Sequence, residues 1–479
     1  MSELKAKYIT TTLPYVNADP HVGFALELVQ ADMLARYWRL LGHEVFFSTG
    51  TDEHGQKIAQ KADSEEKDRQ AYVDHYAGEF NRLKDALNLS NDAFIRTTDT
   101  HHKKAAQEMW RRCAAKGDIY KKAFKGLYCV GDEMFLREND LVDGKCPNHP
   151  TMEPIEVEEE NYFFALSKYQ TYLEEYLNNP TSIVPDWQRQ WALDFVKGGL
   201  EDFSISRQKS RMDWGIPVPG DDEQVMYVWF DALTNYISTL GWPEENGSFK
   251  KFWVEGDTLQ LGGKDQVRFQ SIMWQAMLKS AGVPATDTVF YHGFVTSGGQ
   301  KMSKSVGNVI SPYDMVARYG TDATRYMLLR HVHPFDDSDV TFEKMDEWYT
   351  ANLVNGLGNL VARVMKMAET HLDGPIEKPA ITDFEPEYLT AFNVFNFQAA
   401  SDVVWKKIGE LDEKIAVTEP FKLVKTDKAA AVAIIKELVA GIYIIGRLLF
   451  SLMPETNMII KEAVLQNKKP DNLFKRLEI

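Results

Sequence analysis

Apolar positions fall first into short blocks. The run KYITTTLPYV reads as a strand, closed by a Pro/Asn/Asp/Pro turn. Over residues 22–41 the apolar side chains recur at helical spacing and predict an amphipathic helix. HEVFFSTGTDEHG then predicts a second strand. Strand, helix and strand at this spacing predict a βαβ unit opening a parallel sheet. Alternation resumes at EQVMYVWFDALTNYI and LQLGGKDQVRFQSIMWQAML, which would supply the second half of that sheet. Between them, residues 124–161 predict short strands, many turns and an inserted domain around the acidic run EPIEVEEEN. From about residue 350 the pattern is helical and almost free of strands, and no repeat or low-complexity segment interrupts it.

Composition narrows the class. With 479 residues and an apolar share of 44%, including 11 tryptophans, the chain can build real cores and is not disordered. The start, MSELKAKYITTTLPY, lacks the apolar stretch of a secretory signal. The most apolar run, residues 433–453, is interrupted by Lys436, Glu437 and Arg447, which predicts a buried helix rather than a membrane span. Cys113, Cys129 and Cys146 are too few for a disulfide scaffold and fit a reducing, cytoplasmic setting. The net charge of -16 argues against a protein that coats nucleic acid, but not against a local grip on RNA. Lys468, Lys469, Lys475 and Arg476 are either such a patch or a solvated basic end.

Two stretches carry candidate phosphate chemistry. In PYVNADPHVGF a tight turn delivers His21 and Gly23 to a helix start, where unpaired N–H groups and the helix dipole favour an anion. In GGQKMSKSVGN, Lys301 and Lys304 lie three apart among glycines and serines, suited to charge developing on a leaving polyphosphate.

PHVGF and KMSKS resemble the two signature motifs of class I aminoacyl-tRNA synthetases. TLPYVNADPH, FFSTGTDEHGQKI, MYVWFDAL and GGKDQVRF, in that order, are similar to the methionyl-tRNA synthetase family, over nearly the whole chain. The resemblance implies an α/β fold: a Rossmann-type parallel-sheet catalytic domain with an inserted connective domain and a C-terminal α-helical bundle. The divisions expected are catalytic halves at 1–115 and 221–295, the insert at 116–220, the KMSKS and stem-contact region at 296–350, and an anticodon-binding bundle at 351–479. It implies activation of L-methionine by ATP with magnesium, then transfer to tRNA(Met), by a monomer with no membrane association.

Residue roles follow from the same resemblance. Leu13, Tyr15, Trp229, Ala232 and Tyr236 would line the methionine slot, with Gln270 beside it, although spacing alone leaves Trp229 and Tyr236 as core. Asp52 would pair with the ammonium group, and Arg207, or Arg211, would hold Asp52. Gly262, Gly263 and Asp265 would meet adenosine, while His21, Gly23, Lys301 and Lys304 would meet the phosphates.

The chain departs from the family at Phe24, where a second histidine is common, and at Gln270, where a histidine often stands. Cys129, Asp132, Cys146 and His149 have the spacing of a zinc knuckle with one carboxylate; other members lack the metal. In the helical part, Leu353, Leu357, Leu360 and Val364 share one face and Asn355, Asn359 and Arg363 the other. The resemblance implies that Asn359, Arg363 and a stacking Phe421 read the anticodon. Two further enzyme readings remain, a class I synthetase for another apolar amino acid and a nucleotidyltransferase. A third alternative is an RNA-binding paralogue without catalysis.

Overall fold

The computed structural model describes residues 4–129, 134–136, 141–147, 153–302, 307–379 and 384–477. The chain packs into two compact units. One comprises residues 1–20, 42–83 and 91–292; the other comprises 21–41, 84–90 and 293–479.

In the first unit six parallel strands form one sheet, in the order Ala93–Arg96, Val45–Thr51, Lys7–Thr10, Asp257–Gly263, Thr288–His292, Ile183–Val184. Lys7–Thr10 is flanked by Val45–Thr51 on one side, with Thr10 against Ser48, and by Asp257–Gly263 on the other, with Thr10 against Gln260. The chain order reverses between Lys7–Thr10 and Asp257–Gly263, and the crevice outside the carboxyl ends there is where such sheets bind ligands. The central strands are buried on both faces, the polar Thr10, Ser48, Thr258 and Gln260 included. Trp110, Phe164, Phe230, Trp242, Trp253 and Trp274 anchor the buried cluster around them.

The insert differs from its expected form. EVEEEN is not a set of short strands. It lies within the ten-residue strand Ile155–Phe164, paired antiparallel with Ile119–Cys129. Facing lysines make the acidic strand tolerable: Lys125 pairs with Glu156, and Lys121 reaches Glu160 at 3.6 Å.

The second unit is mostly helical, with one three-stranded sheet of Gln300–Lys301, Val295–Ser297 and Ser338–Asp339. The helix Val22–Leu40 belongs to it and is not amphipathic as expected, because positions from Ala25 to Ala35 are buried all round, Glu27, Gln30 and Asp32 included. An ion pair explains the anomaly: Arg325 Nη1 lies 2.7 Å from Asp32 Oδ2, and both side chains are fully buried. Lys428–Leu448 is apolar and long enough to cross a membrane, but Ala431, Ile435, Leu438, Val439 and Ile442 are buried against other helices. Further back, a wide-turned helical stretch, Tyr349–Gly358, runs into Asn359–His371. Leu353, Leu357, Leu360 and Val364 are buried there, and Asn355, Asn359 and Arg363 are exposed.

Candidate active site

In the first unit Leu13, Tyr15 and Asp52 follow the carboxyl ends of neighbouring strands, while Trp229, Ala232 and Tyr236 lie on the short helices Val228–Ala232 and Asn235–Ser238. Past Lys7–Thr10, Tyr15 forms a parallel bridge with Asp52, just beyond Val45–Thr51. Asp52 N–H donates to Pro14 O at 3.0 Å, and Val16 N–H donates to Asp52 O at 3.3 Å. These bonds fix the backbone of a carboxylate that is only 3% exposed. Leu13 and Ala232 are buried too. Trp229 meets Tyr15 edge-on at 6.3 Å and stacks on Phe269 at 3.9 Å with an 11° tilt. Phe269 was not anticipated as a wall residue; its signal was its place just before Gln270 in GGKDQVRF.

Gln270 bonds to Tyr236 and explains a glycine. Its Nε2 donates to the Tyr236 hydroxyl at 2.8 Å and to Leu261 O at 3.3 Å. A Cβ on Gly262 would lie 2.5 Å from Gln270 Oε1, so glycine here also makes room for this side chain. Among the described residues neither Gln270 Oε1 nor Trp229 Nε1 has a hydrogen-bond partner. Two buried polar atoms in an apolar aromatic slot suit a ligand that brings its own polar group. Gly262 and Gly263 end the strand Asp257–Gly263, and Asp265 follows in a tight turn, where it accepts from Gln266 Nε2 at 2.9 Å.

Arg207 is buried at 2% exposure. Its Nη1 donates to Ser204 Oγ at 3.0 Å and to Ser206 O at 2.7 Å, and its guanidinium lies 4.6 Å from the centre of the Tyr227 ring. Arg211 pairs instead with Glu159 at 3.0 Å. Of the knuckle, Cys129 and Cys146 are buried in one small cluster with Leu136 and flanked by Leu141. Asp132 and His149 lie outside the described residues, and no group of three potential metal ligands forms among the described ones.

The second unit carries the residues expected to meet the phosphates. His21 caps the helix Val22–Leu40, and its Nδ1 accepts from Gly23 N–H at 3.1 Å. A side chain on Gly23 would meet that ring at 2.9 Å. Gly298 and Gly299, both at positive φ, turn the hairpin that presents Lys301. The far end of the loop is pinned as well: Val22 N–H donates to Ile310 O at 2.9 Å, and Asn308 Nδ2 to Lys301 O at 3.3 Å. Lys304 lies outside the described residues.

Partial desolvation, and then the charge of Lys301, push the His21 pKa below its usual value, although the residue keeps an exposed edge. A neutral His21 keeps Nδ1 as acceptor for Gly23 and leaves Nε2–H to donate. Lys301→Gln should therefore let the His21 pKa rise. The acid limb of the pH–rate profile for ATP–pyrophosphate exchange should then move to higher pH. An unmoved limb would separate His21 from that ionisation.

Further along the second unit, Ala362, Arg363, Lys366, Met367, Ile415, Phe421 and Lys469 line one cleft. Phe421 is 45% exposed. Arg363 Nη1 donates to Asp412 Oδ1 at 3.3 Å. Burial raises the Asp412 pKa, and Arg363 only partly offsets this. Asn359 lies one turn before Arg363 on the exposed face, outside the cleft lining. Lys366 and Lys469 join the cleft unforeseen by helical pattern, since Lys469 comes from the tail.

Comparison with known proteins agrees with this layout. The family model for class I tRNA synthetases (M) matches residues 7–154 and 150–365. Methionine–tRNA ligase of Thermotoga maritima is 38% identical over 97% of this chain and 76% of its own length. That of Brucella suis is 43% identical over 88% of this chain and 84% of its own. The solved structure of Mycobacterium tuberculosis methionyl-tRNA synthetase with methionyl-adenylate superposes with a TM-score of 0.88 at 37% identity, covering 95% of this chain and 93% of that one. Agreement of that extent, over a sheet and slot built in this way, places the chain in the methionyl-tRNA synthetase family of class I.

Proposed function

We propose that the chain activates L-methionine with ATP, releasing pyrophosphate, and transfers the methionyl group to the 3′-terminal ribose of tRNA(Met). One observation carries this reading: a buried carboxylate, Asp52, bridged to Tyr15 beside an aromatic slot of Trp229, Phe269 and Tyr236. Methionine needs an anion for its ammonium group and aromatic walls for its sulfur, each sulfur–ring contact adding roughly 0.3–1.5 kcal/mol. The substrate carboxylate is itself the nucleophile at the α-phosphate, so positioning and charge stabilisation are what the protein supplies.

Each residue then has a task. Leu13, Ala232 and Gln270 complete the slot, and Arg207 stiffens the region that supports Asp52. Gly262, Gly263 and Asp265 receive adenosine and its ribose hydroxyls. His21, Gly23, Lys301 and Lys304 take the phosphates, and magnesium enters with ATP, held by phosphate and water. Cys129 and Cys146 have the donor chemistry and the shared burial of two zinc ligands, with Asp132 and His149 completing the set. Zinc there would hold the insert together and supply no chemistry to the reaction. Arg363, Lys366, Lys469 and Phe421 offer cations around a stacking ring, the combination that grips unpaired bases, with Asn359 nearby to read an edge.

The test is pyrophosphate exchange with each amino acid, followed by charging of tRNA(Met). Exchange strongest with methionine, together with methionylated tRNA, is the expected result. Stronger exchange with another apolar amino acid would assign a different substrate, and exchange with none would favour an RNA-binding protein.

A further inference from the structure

Beside the expected slot residues in the chain, in the first unit, lies a buried polar cluster to which no role has been given above. Asp231 is fully buried and accepts from two imidazoles. Its Oδ2 lies 2.8 Å from His54 Nδ1 and its Oδ1 lies 3.0 Å from His102 Nε2. His102 is also fully buried, and its Nδ1 lies 3.0 Å from Ser238 Oγ. His101 Nε2 meets Ser238 O at 2.9 Å.

The places these groups occupy in the chain matter more than the bonds. Asp231 lies between Trp229 and Ala232, two walls of the slot. Ser238 follows Tyr236, a third wall, by two residues. His54 follows Asp52 by two residues, and its N–H reaches Asp52 Oδ1 at 3.5 Å. His102, on the helix Thr100–Ala115, therefore braces both ends of the segment carrying Trp229, Ala232 and Tyr236. His54 joins that segment to the carboxylate expected to hold the substrate ammonium.

The Asp52 turn is clamped from its other side. Glu53, also fully buried, takes a two-pronged contact from Arg96 at 2.6 and 2.8 Å. Trp214 Nε1 donates to Glu53 O at 2.6 Å. With Glu53 fixed by the neighbouring strand, His54 is the link by which the turn meets Asp231.

We propose that Asp231, through His54 and His102, is a positioning residue that sets the distance between the ammonium-binding carboxylate and the side-chain slot, and so contributes to the choice of methionine. The proposal rests on the methionine-activating function given above. Buried polar networks whose members are all partnered hold one arrangement rigidly, and amino-acid selection depends on rigid spacing because one methylene is worth only about 1–3 kcal/mol. Burial alone would raise the Asp231 carboxyl pKa, but the two imidazoles outweigh it and hold the group below its usual value, consistent with a charged bracket. Asparagine at 231 keeps the shape but loses the charge, and its NH2 can no longer accept from a ring N–H.

The test uses the full chain and pyrophosphate exchange. For Asp231→Asn the KM for methionine should rise at least tenfold while the KM for ATP stays within twofold. The kcat/KM preference for methionine over ethionine, one methylene longer, should fall at least fivefold. Ser238→Ala, a milder loosening at the far end, should raise the methionine KM about threefold with the thermal midpoint little changed. It decides the matter if Asp231→Asn does not fold. Values of methionine KM and ethionine preference within twofold of the parent would overturn the proposal. So would a parallel rise in both KM values, which marks general loosening. A parent chain inactive with methionine would instead overturn the function on which the proposal rests.

Discussion

Asp52→Ala should lower kcat/KM for methionine in pyrophosphate exchange by roughly 10²–10³-fold, with only a small change in thermal midpoint. The magnitude follows from what is removed. A buried charge left without its partner costs about 3–5 kcal/mol, and each 1.4 kcal/mol is about a factor of ten. Here the group stranded would be the substrate ammonium, in a slot whose other walls are aromatic and whose carboxylate is 3% exposed. The backbone of the turn does not hang on that side chain. The bridge between Tyr15 and Asp52 is made by backbone, through Pro14 O and Val16 N–H, and survives the substitution. The neighbouring Glu53–Arg96 clamp is untouched. Asp52→Asn should lose nearly as much, because the amide keeps the shape without the charge. Methionine kinetics within tenfold of the parent in both variants would remove Asp52 from substrate recognition.

The asymmetry between a large kinetic and a small stability effect shows what a sequence makes legible. Motifs such as TGTDEHGQ and GGKDQVRF indicated the residue types and their order, and apolar runs bounded by turns indicated the first strands of the parallel sheet. Contacts between residues far apart in sequence were not readable. His54 and Asp231 are 177 positions apart, and nothing local to either indicates the other. Trp229 looked like core by spacing, and the structure shows why that reading is half right, since one face stacks on Phe269 while its ring nitrogen lacks a partner among the described residues. The acidic run in the insert misled because charge was read along the chain. A strand is stabilised across the sheet, and the compensating lysines lie some 30–40 positions earlier. The departure at Gln270 is the reverse case: the residue was visible in sequence, but its bond to Tyr236 and its packing on Gly262 needed coordinates.

Arg325→Ala should be the most destabilising single change in the second unit, costing about 3–5 kcal/mol by the usual penalty for breaking a buried ion pair. Arg325 is fully buried and spends every arm: Nε donates to Leu452 O, Nη1 to Leu87 O and Nη2 to Ser451 O, each at 3.0 Å, and Nη1 also meets Asp32. Alanine would take one of two arginines from a buried carboxylate, leaving it Arg36 and Ser90, and would strand three carbonyls at once, on segments that begin the unit, bridge it and nearly end it. The pH dependence should change with it. In the parent, burial pushes the Asp32 carboxyl up, but Arg325, Arg36 and Ser90 outweigh this and hold its pKa below the unfolded value. A depressed carboxyl contributes stability that is full above the unfolded pKa and is lost as pH falls through the folded one. Without Arg325 the burial effect gains on the remaining partners, so the folded pKa rises and this contribution shrinks or changes sign. Denaturant titrations from about pH 7 down to about pH 3, through the unfolded carboxyl pKa, should then show the gap between Arg325→Ala and the parent narrowing. The double variant Asp32→Asn, Arg325→Met should recover part of the loss at pH 7, since the under-compensated charge is gone and the space is filled. A double variant no more stable than Arg325→Ala would mean that the three carbonyls, and not the ion pair, are what Arg325 chiefly holds in place.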